Sequence, residues 1–427
     1  MVQHLLSHHI AALFVDMGLG KTRAVLKAIE DLVVEGSARG ALIVAPLRVA
    51  TLTWPNEAAR WCPWMKVADL RTKQGMKAWH EGTATLYVIN YEMLQTFSKE
   101  IGKHPPADIV VWDEISKCKS HASKRVKAFM PHRDKFTFHW GMTGTPICNS
   151  YADIFAPVRL LDGGERLGRS YHAFLNRYFD SDYMGWTHTI KPWAKPAIEE
   201  KIADITLTLK ADEYLDIPPV TVEDVDVVLP SPIMSDYRKL QKDFLLQLKN
   251  DKEIVGVNAA ALVGKLQQFT SGAIYDEERN VNVIHDAKLK ALENLAHGEP
   301  MLVATSFIHE RERILQWFPE AKAWREDSLD RWNAGKIPML VVDPRSVSMG
   351  LNLQHGGRHI VWFTQTYSRE MYDQFNARLA RTGQTKEVVI NRLLCPNTID
   401  WAVVEALEHK GNEQSGLKEA LKALQKI

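Results

Sequence analysis

The sequence predicts an α/β protein of two parallel-sheet lobes with a helical insertion and linker between them. Three observations carry this. Short apolar runs alternate with helical patterns across residues 10–150, a second series of such runs begins near residue 300, and the stretch between them differs in composition. Nearly continuous hydrophobic runs separated by helices are how strands buried on both faces of a parallel sheet read. The chain has 427 residues, 45% of them hydrophobic and 25% charged, which suits two or three domains with substantial cores. The expected boundaries are a first lobe over 1–160, an insertion and linker over 161–220, and a second lobe over 221–427. That second lobe would begin with a helical segment at about 230–285 and end in a brace helix.

The first strand is "AALFVD" (11–16), followed by the helix "TRAVLKAIEDLVVEG", whose Ala24, Val25, Ala28, Ile29, Leu32 and Val33 recur at helical spacing before Gly36. Further strands are "ALIVAP" (41–46), "TLYVINY" (85–91), "DIVVWDE" (108–114) and "KFTFHW" (135–140). "LDGGERLGR" and "IPP" mark turns in the middle region, "TVEDVDVV" (221–228) a strand and "MSDYRKLQKDFLLQLKN" (234–250) an amphipathic helix. The second series is "MLVATSF" (301–307), "PMLVVD" (338–343), "HIVWFT" (359–364) and "EVVINRLL" (387–394). Trp54, Trp61, Trp112, Trp317 and Trp362 fall in strong helix or strand patterns and are assigned to cores.

Composition excludes several classes. Cys62, Cys118, Cys148 and Cys395 lie far apart with no CxxC pair, so reduced buried thiols are expected rather than zinc or disulfides. No apolar stretch is long enough for a membrane span, no membrane partner is expected, and a cytoplasmic location follows. The net charge of +1 supplies no overall excess for nucleic acid, so basic residues would have to gather on one surface. Lys117, Lys119, Lys124, Arg125 and Lys127 are the candidate patch, with a solvated helix face as the alternative.

Three motifs carry chemistry. "DMGLGKT" joins the first strand to its helix, so the backbone N–H groups and dipole of the helix N-terminus meet a glycine turn, which favours a phosphate there. Lys21 would reach the terminal phosphates and the Thr22 hydroxyl would bind Mg²⁺. The strict pattern wants Gly where this chain has Val15, and the alternative is a glycine-rich turn with a surface lysine. "VVWDEIS" sets Asp113 and Glu114 at the carboxyl end of a strand, suited to Mg²⁺ and to polarising a water; taken alone, such a pair is a loop start or helix cap. "QFNARLARTGQ" (374–384) carries Arg378 and Arg381 three apart, expected on one helix face as arginine fingers or as a solvated basic face.

In this order the motifs resemble those of superfamily-two helicases, and more closely the Swi/Snf-like DNA translocases of compact phage or prophage type. "IVAPLRVATLTWPNEAARW", "DEISKCKSHASKRVKAF", "MTGTPICNSYADIF", "SMGLNLQ", "LDGGERLGRSYHAFLNRYF" and "DEYLDIPP" extend the likeness over nearly the whole chain. The resemblance implies two RecA-like lobes with ATP between them and DNA across both. It assigns Gly18, Leu19, Gly20, Lys21 and Thr22 to phosphate and Mg²⁺, Asp113 and Glu114 to Mg²⁺ and water, and Arg378 and Arg381 to the finger role. Thr143, Gly144 and Thr145 would couple nucleotide to nucleic acid, with Gly350, Asn352 and Gln374 doing so from the second lobe.

Three positions depart from the family. Ser116 stands where a His follows Asp-Glu, and Ser348 near a position where Gly is common. The adenine-reading Gln would lie upstream of the first strand, where Gln3 reads as the end of a helix. Adenine selectivity is therefore expected to be weakened or to depend on a preceding segment. The leading functional expectation is an ATP-dependent motor on double-stranded DNA, with a protein partner possible for targeting. The alternatives are a strand-separating DNA or RNA helicase and a nucleotide-gated binding module with weak turnover.

Overall fold

The computed structural model describes residues 1–427 except 145, 147–149, 182–187, 215–217, 251–254, 297, 326, 348–350 and 409–427. It divides into two compact units, Met1–Leu215 and Asp216–Ile427.

In the first unit, β1 (Ile10–Val15), β2 (Ala41–Ala45), β3 (Val67–Asp69), β4 (Leu86–Asn90), β5 (Ile109–Asp113) and β6 (Phe138–Thr143) precede a hairpin of β7 (Phe179–Ser181) and β8 (His188–Ile190), and β9 (Thr206–Leu209) follows. The main sheet has the order β3-β4-β2-β5-β6-β1-β9, and its paired strands are parallel. Its central strands are buried along their length, as the apolar runs predict. The last strand is shifted: "KFTFHW" was expected over 135–140, but Met130–Lys135 forms a 3₁₀ turn and β6 runs on through Gly141 and Thr143.

The segment from 161 onward, expected as insertion and linker, contributes to this unit. Phe174, Leu175, Tyr178, Ile198, Ile202 and Ile205 join its core, and β9 extends its sheet beside β1.

In the second unit, β10 (Val220–Asp226), the hairpin β11 (Ala273–Tyr275) and β12 (Val281–Val283), β13 (Met301–Ala304), β14 (Lys322–Ala323), β15 (Met339–Val342), β16 (His359–Trp362) and β17 (Val388–Leu394) follow in turn. Six of them form a parallel sheet, β10-β17-β16-β13-β15-β14. Alternation along its strands splits the core in two. Leu302, Ala304, Leu340, Val342, Ile360 and Trp362 pack on one side, and Met301, Val303, Met339, Val341 and Val361 on the other. The helices Ser231–Asn250, Val255–Ser271 and Ile399–Glu408 form a satellite cluster through Tyr237, Leu266, Phe269, Ile399 and Val403. The brace helix expected at the C-terminus lies, beyond Glu408, outside the described residues.

Trp54, Trp112 and Trp362 are fully buried as expected, whereas Trp61 and Trp317 are each 37% exposed and are not core residues. Cys62, Cys118 and Cys395 are buried free thiols, and burial pushes the Cys118 thiol up to about 12. Among the described residues, no helix is long and apolar enough to cross a membrane.

Candidate nucleotide site

Three adjacent strands of the first sheet, β5, β6 and β1, bring their carboxyl ends to one edge, with Asp113 beside Met142 and Phe14 beside Thr143 in register. This is the edge where open parallel sheets bind ligands.

From β1 the chain enters the loop 16–20. Gly18 and Gly20 take φ of +87° and +77°, values at which an L side chain is strained. Gly20 is the left-handed cap of the helix Lys21–Val34, whose first turn carries no acidic residue. The loop is tied down on its outer side. Asp16 N donates to the Leu209 carbonyl at 3.0 Å, and Asp16 Oδ2 accepts from Ala211 N at 2.9 Å. Lys21 Nζ donates to the Val15 and Asp16 carbonyls at 2.6 and 3.0 Å, which holds its ammonium across the loop.

Asp113 ends β5, and Glu114 follows it in the left-handed region at φ +59°, rare for a residue with a Cβ. Tyr91 pins this turn: its hydroxyl donates to the Asp113 and Glu114 carbonyls at 2.9 and 3.3 Å. Trp54 Nε1 donates to Asp113 Oδ2 at 2.8 Å. Desolvation, and then the charge of Glu114, raise Asp113 to about 7; the Trp54 hydrogen bond and the Lys21 charge oppose this. Glu114 Oε1 accepts from Ser116 Oγ at 2.8 Å and from Thr143 Oγ1. Ser116, in the place of the expected His, thus keeps a hydrogen-bonding role. Gly144 runs along the loop: a Cβ there would lie 3.4 Å from Met17 Cγ and 3.7 Å from the Val15 oxygen.

The structure therefore gathers Gly18, Gly20, Lys21, Asp113, Glu114, Thr143 and Gly144 at one edge, with Leu19 and Thr22 on the same loop and helix. Thr145 lies outside the described residues. Tyr91 and the polar role of Trp54 escaped sequence reasoning. Of the basic residues of 117–127, Lys117 lies on the turn Ile115–Cys118, half-buried Lys119 just after it, and Lys124, Arg125 and Lys127 on the helix Lys124–Phe129; Lys117, Lys124 and Lys127 are exposed and Arg125 is 3.6 Å from Glu92.

In the second unit, Arg378 and Arg381 do not share a helix face. The helix Arg369–Asn376 ends before them, and both stand on the turns that follow. They nevertheless converge, each donating from Nη1 to the Leu351 carbonyl at 3.3 Å. Next to it, Asn352 is exposed, and its carbonyl accepts from Asn333 Nδ2 at 2.9 Å. Gln374 is buried on the helix and donates to Glu370 Oε1 at 3.1 Å. Gly350 and Ser348 lie outside the described residues. Among the described residues, no group of three or more His, Cys, Asp or Glu is arranged to hold a metal by itself.

A glycine loop between β1 and its helix, facing paired carboxylates at the end of β5 in the same parallel sheet, defines the phosphate-binding class of α/β folds. The SNF2-related domain family matches residues 2–184. Protein p41 of Acyrthosiphon pisum secondary endosymbiont phage 1 is 34% identical over 99% of this chain and 97% of its own length. The Bacillus subtilis protein YwqA, named as an ATP-dependent helicase/translocase, is 24% identical over 94% of this chain, which spans 45% of YwqA. The helicase domain of Pyrococcus furiosus Hef shares the fold, with a TM-score of 0.57 at 14% identity over 96% of this chain and 97% of that one. The chain belongs to the SNF2-related family within helicase superfamily two.

Proposed function

We propose that this protein is an ATP-dependent translocase that moves on double-stranded DNA. The observation that carries the reading is the meeting, at one sheet edge, of the Gly18–Lys21 loop with Asp113 and Glu114. Family membership supports the coupling of that chemistry to DNA.

The β- and γ-phosphates would lie on the N-terminus of the helix Lys21–Val34, and Lys21 would exchange its two carbonyl contacts for phosphate oxygens. Thr22 and Asp113 suit Mg²⁺: two crowded carboxylates, one of them raised to about 7, are what a cation beside them would relieve. The ion supplies charge neutralisation for the phosphates. Glu114, oriented by Ser116 and Thr143, would align the attacking water and take its proton. Arg378 and Arg381 would stabilise the charge on the transferring phosphoryl group. Thr143, Gly144 and Thr145, with Gly350, Asn352 and Gln374, would pass the nucleotide state to the DNA track, whose backbone contacts make binding sequence-independent and salt-sensitive.

The test is steady-state ATP hydrolysis with no nucleic acid, single-stranded DNA, duplex DNA or RNA, beside displacement of a third strand from a triplex. Stimulation by duplex DNA with triplex displacement, both lost in Lys21→Ala, is the expected result. Turnover indifferent to every nucleic acid would overturn the proposal.

A further inference from the structure

Trp61 belongs to the helix Trp54–Trp61 and reads as a core residue, yet it is 37% exposed and packed against charge. The guanidinium carbon of Arg23 lies 3.9 Å from the Trp61 ring centroid, and that of Arg60 4.7 Å from the same ring. Trp61 Nε1 donates to Glu57 Oε2 at 2.8 Å, which fixes the ring one helical turn from its partner. Arg23 is itself exposed, two residues beyond Lys21, on the first turn of the helix whose N-terminus would take the phosphates. A mobile side chain is thus held in place against one ring, with a second guanidinium face available to another planar group.

We infer that Arg23, seated on Trp61, is the stacking surface for the base of the bound nucleotide. This rests on the nucleotide site proposed above. The first turn of that helix, where Arg23 presents a plane, is within reach of a base tethered through its ribose to phosphates at the helix N-terminus. Stacking reads the face of a base and not its hydrogen-bonding edge. This stacking therefore favours purine nucleotides over the smaller pyrimidines and adds nothing to the choice between adenine and guanine.

Calorimetric titrations of the full chain with ADP and with inorganic tripolyphosphate test this, in wild type, Arg23→Ala and Arg23→Lys. Arg23→Lys keeps the charge and loses the plane. Both variants should bind ADP about tenfold more weakly and tripolyphosphate within about twofold of wild type. Wild type should bind CDP about tenfold more weakly than ADP. Unchanged ADP affinity in Arg23→Ala would overturn the inference. Equal losses for ADP and tripolyphosphate would also overturn it, because Arg23 would then be a phosphate contact. Wild-type protein that binds neither ligand would overturn the nucleotide-site reading first, and this inference with it.

Discussion

The Thr143 hydroxyl, at the end of β6, donates to the same Glu114 oxygen that accepts from Ser116, so two neighbouring strand ends share one carboxylate. Glu114 sits at a left-handed φ that its own residue type disfavours, and the Tyr91 hydroxyl holds the backbone of that turn. The carboxylate direction is therefore fixed from both sides before any substrate arrives.

Thr143→Val keeps the shape of the side chain and removes the donor. A hydrogen bond to a charged group contributes about 1.5–3 kcal/mol, so kcat for ATP should fall about tenfold to a hundredfold. KM for ATP should stay near wild type, since the hydroxyl removed is the one that orients the Glu114 carboxylate. Steady-state ATPase kinetics check this, and a raised KM with unchanged kcat would refute it.

Asp113 links acidity to both stability and Mg²⁺. Burial and Glu114 raise its folded-state pKa to about 7, against 3.8 as the reference. Between those values the folded protein binds the proton more tightly than the unfolded chain, so this group's contribution to stability falls as pH rises through that window. Asp113→Asn removes the charge and should raise Tm at pH 8 by a few degrees while changing it little at pH 4, with ATPase activity abolished. The proton also competes with the cation. Mg²⁺ titrations of the wild type should give an affinity about tenfold weaker at pH 6 than at pH 8.

In the second unit, Lys288 and Asp400 are both fully buried and paired at 2.8 Å. Burial opposes the lysine charge, but the charges of Asp400, Cys395 and Glu310 together with the Asp400 hydrogen bond outweigh it, and the Lys288 pKa stands above its usual value. Lys288 Nζ also donates to the Phe363 carbonyl at 2.9 Å, and Asp400 accepts from Thr270 and from Cys395 N. Lys288→Met leaves Asp400 buried and unpaired, so urea unfolding of this unit should show a loss of about 3–5 kcal/mol. Lys288→Met with Asp400→Leu should recover a substantial part, because the uncompensated charge is gone.

Legibility in the sequence followed burial. Strands such as β2 and β5 are flanked on both faces by packed layers, so their apolar runs are continuous and their bounds nearly readable. The edge strands β3 and β9 are short and only partly buried, and "TLTL" gave no such signal. The loop and the paired carboxylates were readable because glycine, lysine and carboxylate chemistry is local. Tyr91 and Trp54 reach that site from 22 and 59 residues away in sequence, and nothing in their own neighbourhoods points there. Arg378 and Arg381 were misplaced on a helix because the pattern carries helical spacing beyond Asn376, whereas the chain there turns so that both reach Leu351.

β6 continues past its apolar run through Gly141, where the next layer comes close. A Cβ on Gly141 would sit 2.7 Å from Ile115 Cδ1 and 3.1 Å from Leu161 Cδ1. Ile115 directly follows Glu114, so Gly141→Ala must displace the buried Ile115 side chain beside the turn that aims the carboxylate. Overpacking of this kind costs about 1–3 kcal/mol in thermal or urea unfolding, and kcat should fall together with stability. Ile115→Val deletes the clashing methyl. The double variant Gly141→Ala/Ile115→Val should then recover both stability and kcat beyond the sum of the single changes, the non-additivity of groups in contact. Strict additivity would mean that the strain is absorbed at Leu161 instead, and that the Glu114 turn is not held by this contact.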